Sequence, residues 1–514
     1  MTLTDVLDEL RERCPAQPLS LAVIELPGRQ ITYGDLWSRV EALSAGLREY
    51  GFRPGDNALF SIRPGIESLT LILAIAHAGG AIIAADPGMP DGLFHARLAR
   101  LEIRWTFAES VLYGLASAAP VRHALQRRGV ALPNLTGFTG SRLVLSGPRM
   151  PWFRRAITVR ELLRSIGSSP APLLHPEDPV LIVFTSGTTE APRAAVHTGS
   201  SIGATVELVS GHLDLGPGDV IYTDQLHLQL PALLAGARVI LPRKQASPEQ
   251  FPQHLARHQV THVFALPARL QRVVELAERT GHHLPDHLRH LILGSAPVYR
   301  GFLERLRRVL SPATRVWAVY AMTEMLPVAW VDIDEKLVYE GEGDLVGTPC
   351  PGVRVRVDDR DELWVSGPNL FRGYVGERPV LEHATGDLAR IDDRGRLLLL
   401  GRGKEMIIRG EKNIYSAIVE DQIAGIPGVR RCALVGVYRE HRADEVVVLA
   451  VEPVAGVHEP ELRRSLLAEM RTGAHRIEPA SYPDVVVMTR IPLAGRSDKI
   501  DRDALRRQVA QHVR

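Results

Sequence analysis

Short apolar runs recur along this chain with amphipathic segments between them, and that alternation leaves few architectures open. Ala58-Leu59-Phe60, residues 180–184, Val239-Ile240-Leu241 and Leu291-Ile292-Leu293 are apolar throughout, the pattern of strands covered on both faces. Phe302, Leu303, Leu306, Val309 and Leu310 instead recur at helical spacing, with charges filling the other face. Strands separated by helices predict a layered α/β architecture with a largely parallel sheet. At 514 residues the chain exceeds what one core organises, so two or more domains are expected. Residues 146–179, rich in Pro, Ser and Arg, read as a connector into the strand at Val180. Strand-like runs with Gly-rich turns follow residue 358, and a smaller unit begins after Arg402.

Charge excludes one function class. Lys and Arg number 61 against 59 Asp and Glu, a formal net charge of +2, and no basic block stands out, so nucleic acid is not an expected partner. Cys14, Cys350 and Cys432 are far apart and form no CxxC pair, which argues against a disulfide framework or a zinc site and suits the cytoplasm. The first residues lack a basic and an apolar region, so no signal peptide is expected. The longest apolar stretch, 71–85, contains His77 and Gly79-Gly80. It falls short of the ~20 residues of a membrane span and reads as a core helix followed by a buried strand.

The run 180–184 leads into Thr185-Ser186-Gly187-Thr188-Thr189-Glu190-Ala191-Pro192-Arg193. A strand entering a hydroxyl-rich turn with glycine can cradle an anion with its backbone N–H groups; an exposed Ser/Thr turn is the alternative. This segment resembles the phosphate loop of the adenylate-forming superfamily, and six further stretches resemble that family's motifs in its order. They are Tyr320-Ala321-Met322-Thr323-Glu324, Gly347-Thr348-Pro349-Cys350-Pro351-Gly352, the stretch from Glu362 to Phe371-Arg372-Gly373-Tyr374, Thr385-Gly386-Asp387, Gly401-Arg402-Gly403-Lys404-Glu405 continuing to Asn413-Ile414 and Glu420, and Pro492 through Gly495 and Lys499 to Arg502.

The resemblance implies the two-domain adenylate-forming fold. A large N-terminal domain of layered mixed sheets and helices would span 1–402, and a small mobile α/β domain 403–514, hinged near Lys404. It implies an acyl-CoA ligase that forms a thioester from a small carboxylic acid through acyl-AMP, using ATP, Mg²⁺ and CoA. Lys499 would reach the carboxylate and the α-phosphate, with a surface lysine as the alternative. Thr323 would contact the α-phosphate and Glu324 would hold Mg²⁺, unless Glu324 caps a helix. Asp387 would accept from the ribose hydroxyls, with Arg402 as second contact and a turn aspartate as the alternative. Tyr320 would flank the adenine, while Gly294, Ser295 and Ala296 would form part of the adenine and acyl pocket. His227 would gate the carboxylate pocket, or be a buried or strand-edge histidine. Gly410, Glu411, Lys412 and Asn413 would line the thiol tunnel.

The loop departs from the family at Glu190, where glycine is usual, at Arg193, which replaces lysine, and at Ala194, which replaces the last glycine. At about 4 Å like charges repel by roughly 4 kcal/mol at an effective dielectric of about 20, so Glu190 would oppose a triphosphate. A member that only transfers acyl from a supplied acyl-AMP, with a separate adenylating enzyme as partner, is therefore an alternative. Met325-Leu326-Pro327-Val328-Ala329 resembles the β-lactone synthetase branch, a second alternative, and a non-catalytic acyl or nucleotide binder is a third. A carrier protein acting in trans could replace CoA as acceptor.

Overall fold

The computed structural model describes residues 1–84, 101–118, 141–148, 155–165, 174–184, 193–242, 246–295, 298–409, 412–439, 444–477, 481–494 and 499–513, with positions 95, 98, 99, 120, 121 and 153. All four apolar runs lie in strands. Asn57–Ser61 and Pro179–Phe184 belong to an eight-stranded sheet, Arg238–Leu241 and His290–Leu293 to a thirteen-stranded one. The stretch 71–85 contains the end of the helix Ile66–His77 and the strand Ala81–Ala84, as its composition suggested.

The larger sheet is mixed rather than largely parallel. Arg238–Leu241, Val220–Tyr222, His262–Ala265, His290–Leu293 and Arg315–Met322 run parallel side by side. From there the pairing turns antiparallel through Met325–Asp332, Asp344–Pro349, Leu397–Arg402 and His383–Ile391. Thr323 and Glu324 alone join the first antiparallel pair, and so tight a link cannot hold the crossover that parallel neighbours need. The helices Leu3–Ala16, Tyr33–Glu49, Ile66–His77 and Gly199–Leu213 contribute to one core with residues from both sheets.

The stretch 146–179 is more than a connector. Ile157–Thr158 pairs parallel to Val144 and Leu145 and ends the smaller sheet. Thr158 then caps the short helix Val159–Leu162, its hydroxyl accepting the Glu161 N–H while the Glu161 carboxylate accepts the Thr158 N–H. That Thr-x-x-Glu capping box was in the sequence, masked by its Pro- and Arg-rich surroundings.

Beyond residue 407, Val429–Arg439 and Asp444–Pro453 pair antiparallel and Val485–Met488 adds in parallel. The helices Ser416–Ala424 and Glu459–Thr472 cover one face of this sheet through Val419, Ile423, Leu462 and Leu466. Arg502–Val509 covers the other through Leu505 and Val509. This unit meets the helix Arg300–Arg308, where the Arg300 N–H donates to Asp421 Oδ1 at 2.9 Å. A Cβ on Gly301 would stand 3.1 Å from Gly425 Cα. The cysteines are buried and free, and burial pushes the Cys14 and Cys350 thiols up to about 12. Among the described residues no helix is long and apolar enough to cross a membrane.

Candidate active site

Tyr320, Asp387 and Arg402 stand on three strands of the larger sheet, and their side chains converge. The Tyr320 hydroxyl donates to Asp387 Oδ2 at 2.5 Å, and Arg402 Nε lies 2.7 Å from Oδ1. Asp387 and Arg402 are also cross-strand partners. Local geometry aims the carboxylate: the Asp387 N–H donates to Thr385 Oγ1, and Gly386 adopts φ +74°, a conformation open to glycine. Asp387 thus sits within the strand His383–Ile391 and not in a turn. Burial pushes its carboxyl up, while Arg402 and Tyr320 hold it down. Burial, with Asp387 second, pushes the Tyr320 phenol far up, so it stays a donor. Lys499, in the hairpin strand Lys499–Ile500, lies within electrostatic reach of Asp387, Arg402 and Glu405. Desolvation and then Arg402 push its ammonium down from the usual lysine value.

A second cluster forms around Glu324, which lies in the turn between Arg315–Met322 and Met325–Asp332 and so caps no helix. The Tyr374 hydroxyl donates to Glu324 Oε1 at 2.6 Å. Gly373–Tyr374 pairs with Ala194–Thr198, and the Arg193 guanidinium consequently lies 4.9 Å above the Tyr374 ring. His383 and Phe371 complete an aromatic wall, with ring centroids 5.1 Å apart. Oε2 of Glu324 has no described hydrogen bond, so it is a hard oxygen donor of the kind Mg²⁺ takes. Thr323 offers its carbonyl to the imidazole of His197, 2.8 Å away, and burial pushes His197 down, keeping it neutral. Neither Tyr374 nor His197 carries a role in the sequence reading. Both act through strand pairings joining segments far apart in the chain, and no local pattern announces that.

His227 occupies the first turn of the helix Leu226–Leu234, not a strand edge. Its ring meets Phe264 edge-on at 6.4 Å, and burial pushes it down to about 4. Gly294 packs on the same Phe264: a Cβ there would lie 3.3 Å from the ring. Ser295 follows with φ +68°. These residues gather at the C-terminal ends of the parallel strands, where open α/β sheets place ligands. Lys404 lies in the 3₁₀ turn Gly403–Glu405, and Lys412 and Asn413 in the hairpin strand Lys412–Ile414. Thr185, Ser186, Gly187, Thr188, Thr189, Glu190, Ala296, Gly410 and Glu411, with Gly495, lie outside the described residues.

Arg502, three residues after Lys499, grips Glu420 with both Nη atoms at 2.7 and 2.8 Å and reaches Glu405 at 2.9 Å. Glu420 is fully buried and also accepts the Leu434 N–H. This network ties the Lys499 segment to the turn after Arg402.

Residues 10–375 match the family described as AMP-binding enzymes. The chain is 29% identical to a feruloyl-CoA synthase of Amycolatopsis sp. over 508 residues, 94% of each chain. It is 26% identical to an olefin β-lactone synthetase of Stenotrophomonas maltophilia, across 97% of this chain and 94% of that one. The amide bond synthetase McbA of Marinactinospora thermotolerans superposes with a TM-score of 0.78 at 22% identity, over 98% of this chain and 99% of its own.

Proposed function

Because the chain belongs to the family of AMP-binding enzymes, we propose that it is an acid–thiol ligase, joining a small carboxylic acid to CoA through an acyl-AMP. The observation that carries this is the convergence of Tyr320 and Arg402 on Asp387, with Lys499 within electrostatic reach. A fixed carboxylate with lone pairs to spare suits a vicinal diol such as the ribose of AMP. A cation near it suits the negative charge that grows on the α-phosphate. In the first step the acid's oxygen attacks the α-phosphorus of ATP and pyrophosphate leaves. In the second the thiol sulfur bonds to the acyl carbon, AMP leaves and the thiol proton passes to solvent. Mg²⁺ would neutralise triphosphate charge, with Glu324 Oε2 among its ligands. Neutral His227 and Phe264 would wall the acid pocket, and Lys412 and Asn413 would approach the thiol. A reducing cytoplasm suits the three free thiols.

A second reading, transfer from a supplied acyl-AMP without adenylation, is favoured by the Arg193–Tyr374–Glu324 cluster. The cation that follows the phosphate loop rests on an aromatic ring, and that ring's hydroxyl takes one oxygen of Glu324. One assay separates the readings. Purified protein receives ATP, Mg²⁺, CoA and a panel of acids in one arm, and synthetic acyl-AMP with CoA in the other. Thioester in both arms supports the ligase, thioester from acyl-AMP alone supports the transferase, and no product in either arm overturns both. In the transferase case Tyr374→Phe, or Glu190→Gly with Arg193→Lys, raises ATP-dependent turnover at least roughly tenfold, a gain of about 1.4 kcal/mol.

A further inference from the structure

A cleft of about 990 Å³ is lined from both sides of the boundary between the large part of the chain and the C-terminal unit. Arg272 reaches it from the helix Pro267–Thr280, Arg430 and Arg431 from the start of Val429–Arg439, and Arg490 from the segment after Val485–Met488. Glu452 and Glu459 are the acids lining it. Glu452 is already engaged: Arg430 Nη1 lies 3.2 Å and Arg431 Nη1 3.3 Å away, and the Ile491 N–H donates to it at 3.1 Å. Arg272 and Arg490 are exposed, and among the described residues neither guanidinium has an ion-pair partner. One guanidinium without an ion-pair partner among the described residues therefore stands on each side of the boundary, in a cleft open to solvent.

Guanidinium forks match phosphate oxygens two at a time. A multivalent anion can engage an arginine on each side of the boundary, which a monovalent counter-ion does only in part. The position adds a consequence. Leu493 lines the cleft and is the cross-strand partner of Ile500, the residue after Lys499. Whatever fixes this wall fixes the hairpin that carries Lys499. We propose that the cleft is a phosphate-binding site which, by bridging Arg272 to Arg490, holds the C-terminal unit in the pose that keeps Lys499 within electrostatic reach of Asp387. Its existence rests on the boundary geometry and is independent of which acyl acceptor the enzyme uses. By linkage, an anion bound here and a ligand that needs Lys499 strengthen each other's binding.

Two sources share this chemistry, and two probes distinguish them: inorganic pyrophosphate, and adenosine 3′,5′-bisphosphate for a nucleotide-borne phosphate. Each is titrated calorimetrically into the full chain and into Arg272→Gln and Arg490→Gln, at fixed ionic strength and with AMP saturating the nucleotide site. At least one probe binds the wild-type chain and weakens roughly tenfold or more in both variants, and the tighter probe names the source. The same probe slows tryptic cleavage next to Arg402 and Lys404 in the wild-type chain alone. No binding to the wild-type chain, or equal affinity in both variants, overturns the site. Binding with cleavage unchanged overturns the bridge.

Discussion

In the proposed reaction, Lys499 is the single side chain that bears most directly on the chemistry. It reaches Asp387, Arg402 and Glu405 electrostatically, and its charge is useful only where phosphate charge develops. Lys499→Ala is expected to lower ATP–pyrophosphate exchange by roughly 10²–10³-fold while acyl transfer from supplied acyl-AMP to CoA falls less than tenfold. Equal losses in the two assays would remove its assignment to adenylation. Tyr320, Asp387, Arg402 and Lys499 were legible in the sequence because each sits in a short motif on or beside a regular strand. The Tyr374–Glu324 bond was not. It depends on Gly373–Tyr374 pairing with Ala194–Thr198, a contact that no window of sequence contains. The helix-cap alternative for Glu324 stayed open in the sequence for a related reason. Nothing local in Met322-Thr323-Glu324-Met325 distinguishes a hairpin turn from a helix start.

At the scale of elements, Arg502 shows how one side chain holds several pieces together. It starts the helix Arg502–Val509 and grips Glu420 on Ser416–Ala424. Removing one partner of a buried pair leaves the other charge uncompensated, at a cost of about 3–5 kcal/mol. Arg502→Met should lower the urea midpoint accordingly, and adding Glu420→Gln should restore part of the loss. Three histidines form another junction. His262 and His290, first residues of neighbouring strands, stack 4.6 Å apart, and His212 at the end of Gly199–Leu213 stacks on Trp330 at 4.2 Å. Burial pushes His212 and His262 down to about 4, and His290 down as well. These groups stay neutral when folded but take up protons near 6.5 when unfolded. Their stabilisation is therefore complete above about 6.5 and is lost as pH falls toward 4. Urea midpoints measured from pH 7 to 5 should fall, and fall less steeply in His212→Gln.

For the molecule as a whole, the alternation of apolar runs and amphipathic segments was enough to anticipate layers of helix and sheet. It could not give the strand order. The thirteen-stranded sheet brings the strand Leu21–Glu25 beside Arg238–Leu241, segments some two hundred residues apart that no local pattern links. Nor could it show how the C-terminal unit rests on the rest. Arg300 donates to Asp421, and Gly301 and Gly425 approach closely between them. Gly301→Val should push this seam apart and lower ATP–pyrophosphate exchange several-fold, with acyl transfer from supplied acyl-AMP unchanged. Exchange equal to the wild-type chain would show that this pose is not the one used for adenylation.

The glycine pair at that seam has a thermodynamic consequence of its own. Glycine has no rotamers to freeze, so bringing Gly301 against Gly425 costs no side-chain entropy. Beside them a side chain does cross the seam: the Tyr299 hydroxyl donates to Glu420 Oε2 at 3.4 Å. The glycine contact thus acts as a doorstop, limiting how near the two surfaces come, while Tyr299 and the charged contacts around it act as the clasp.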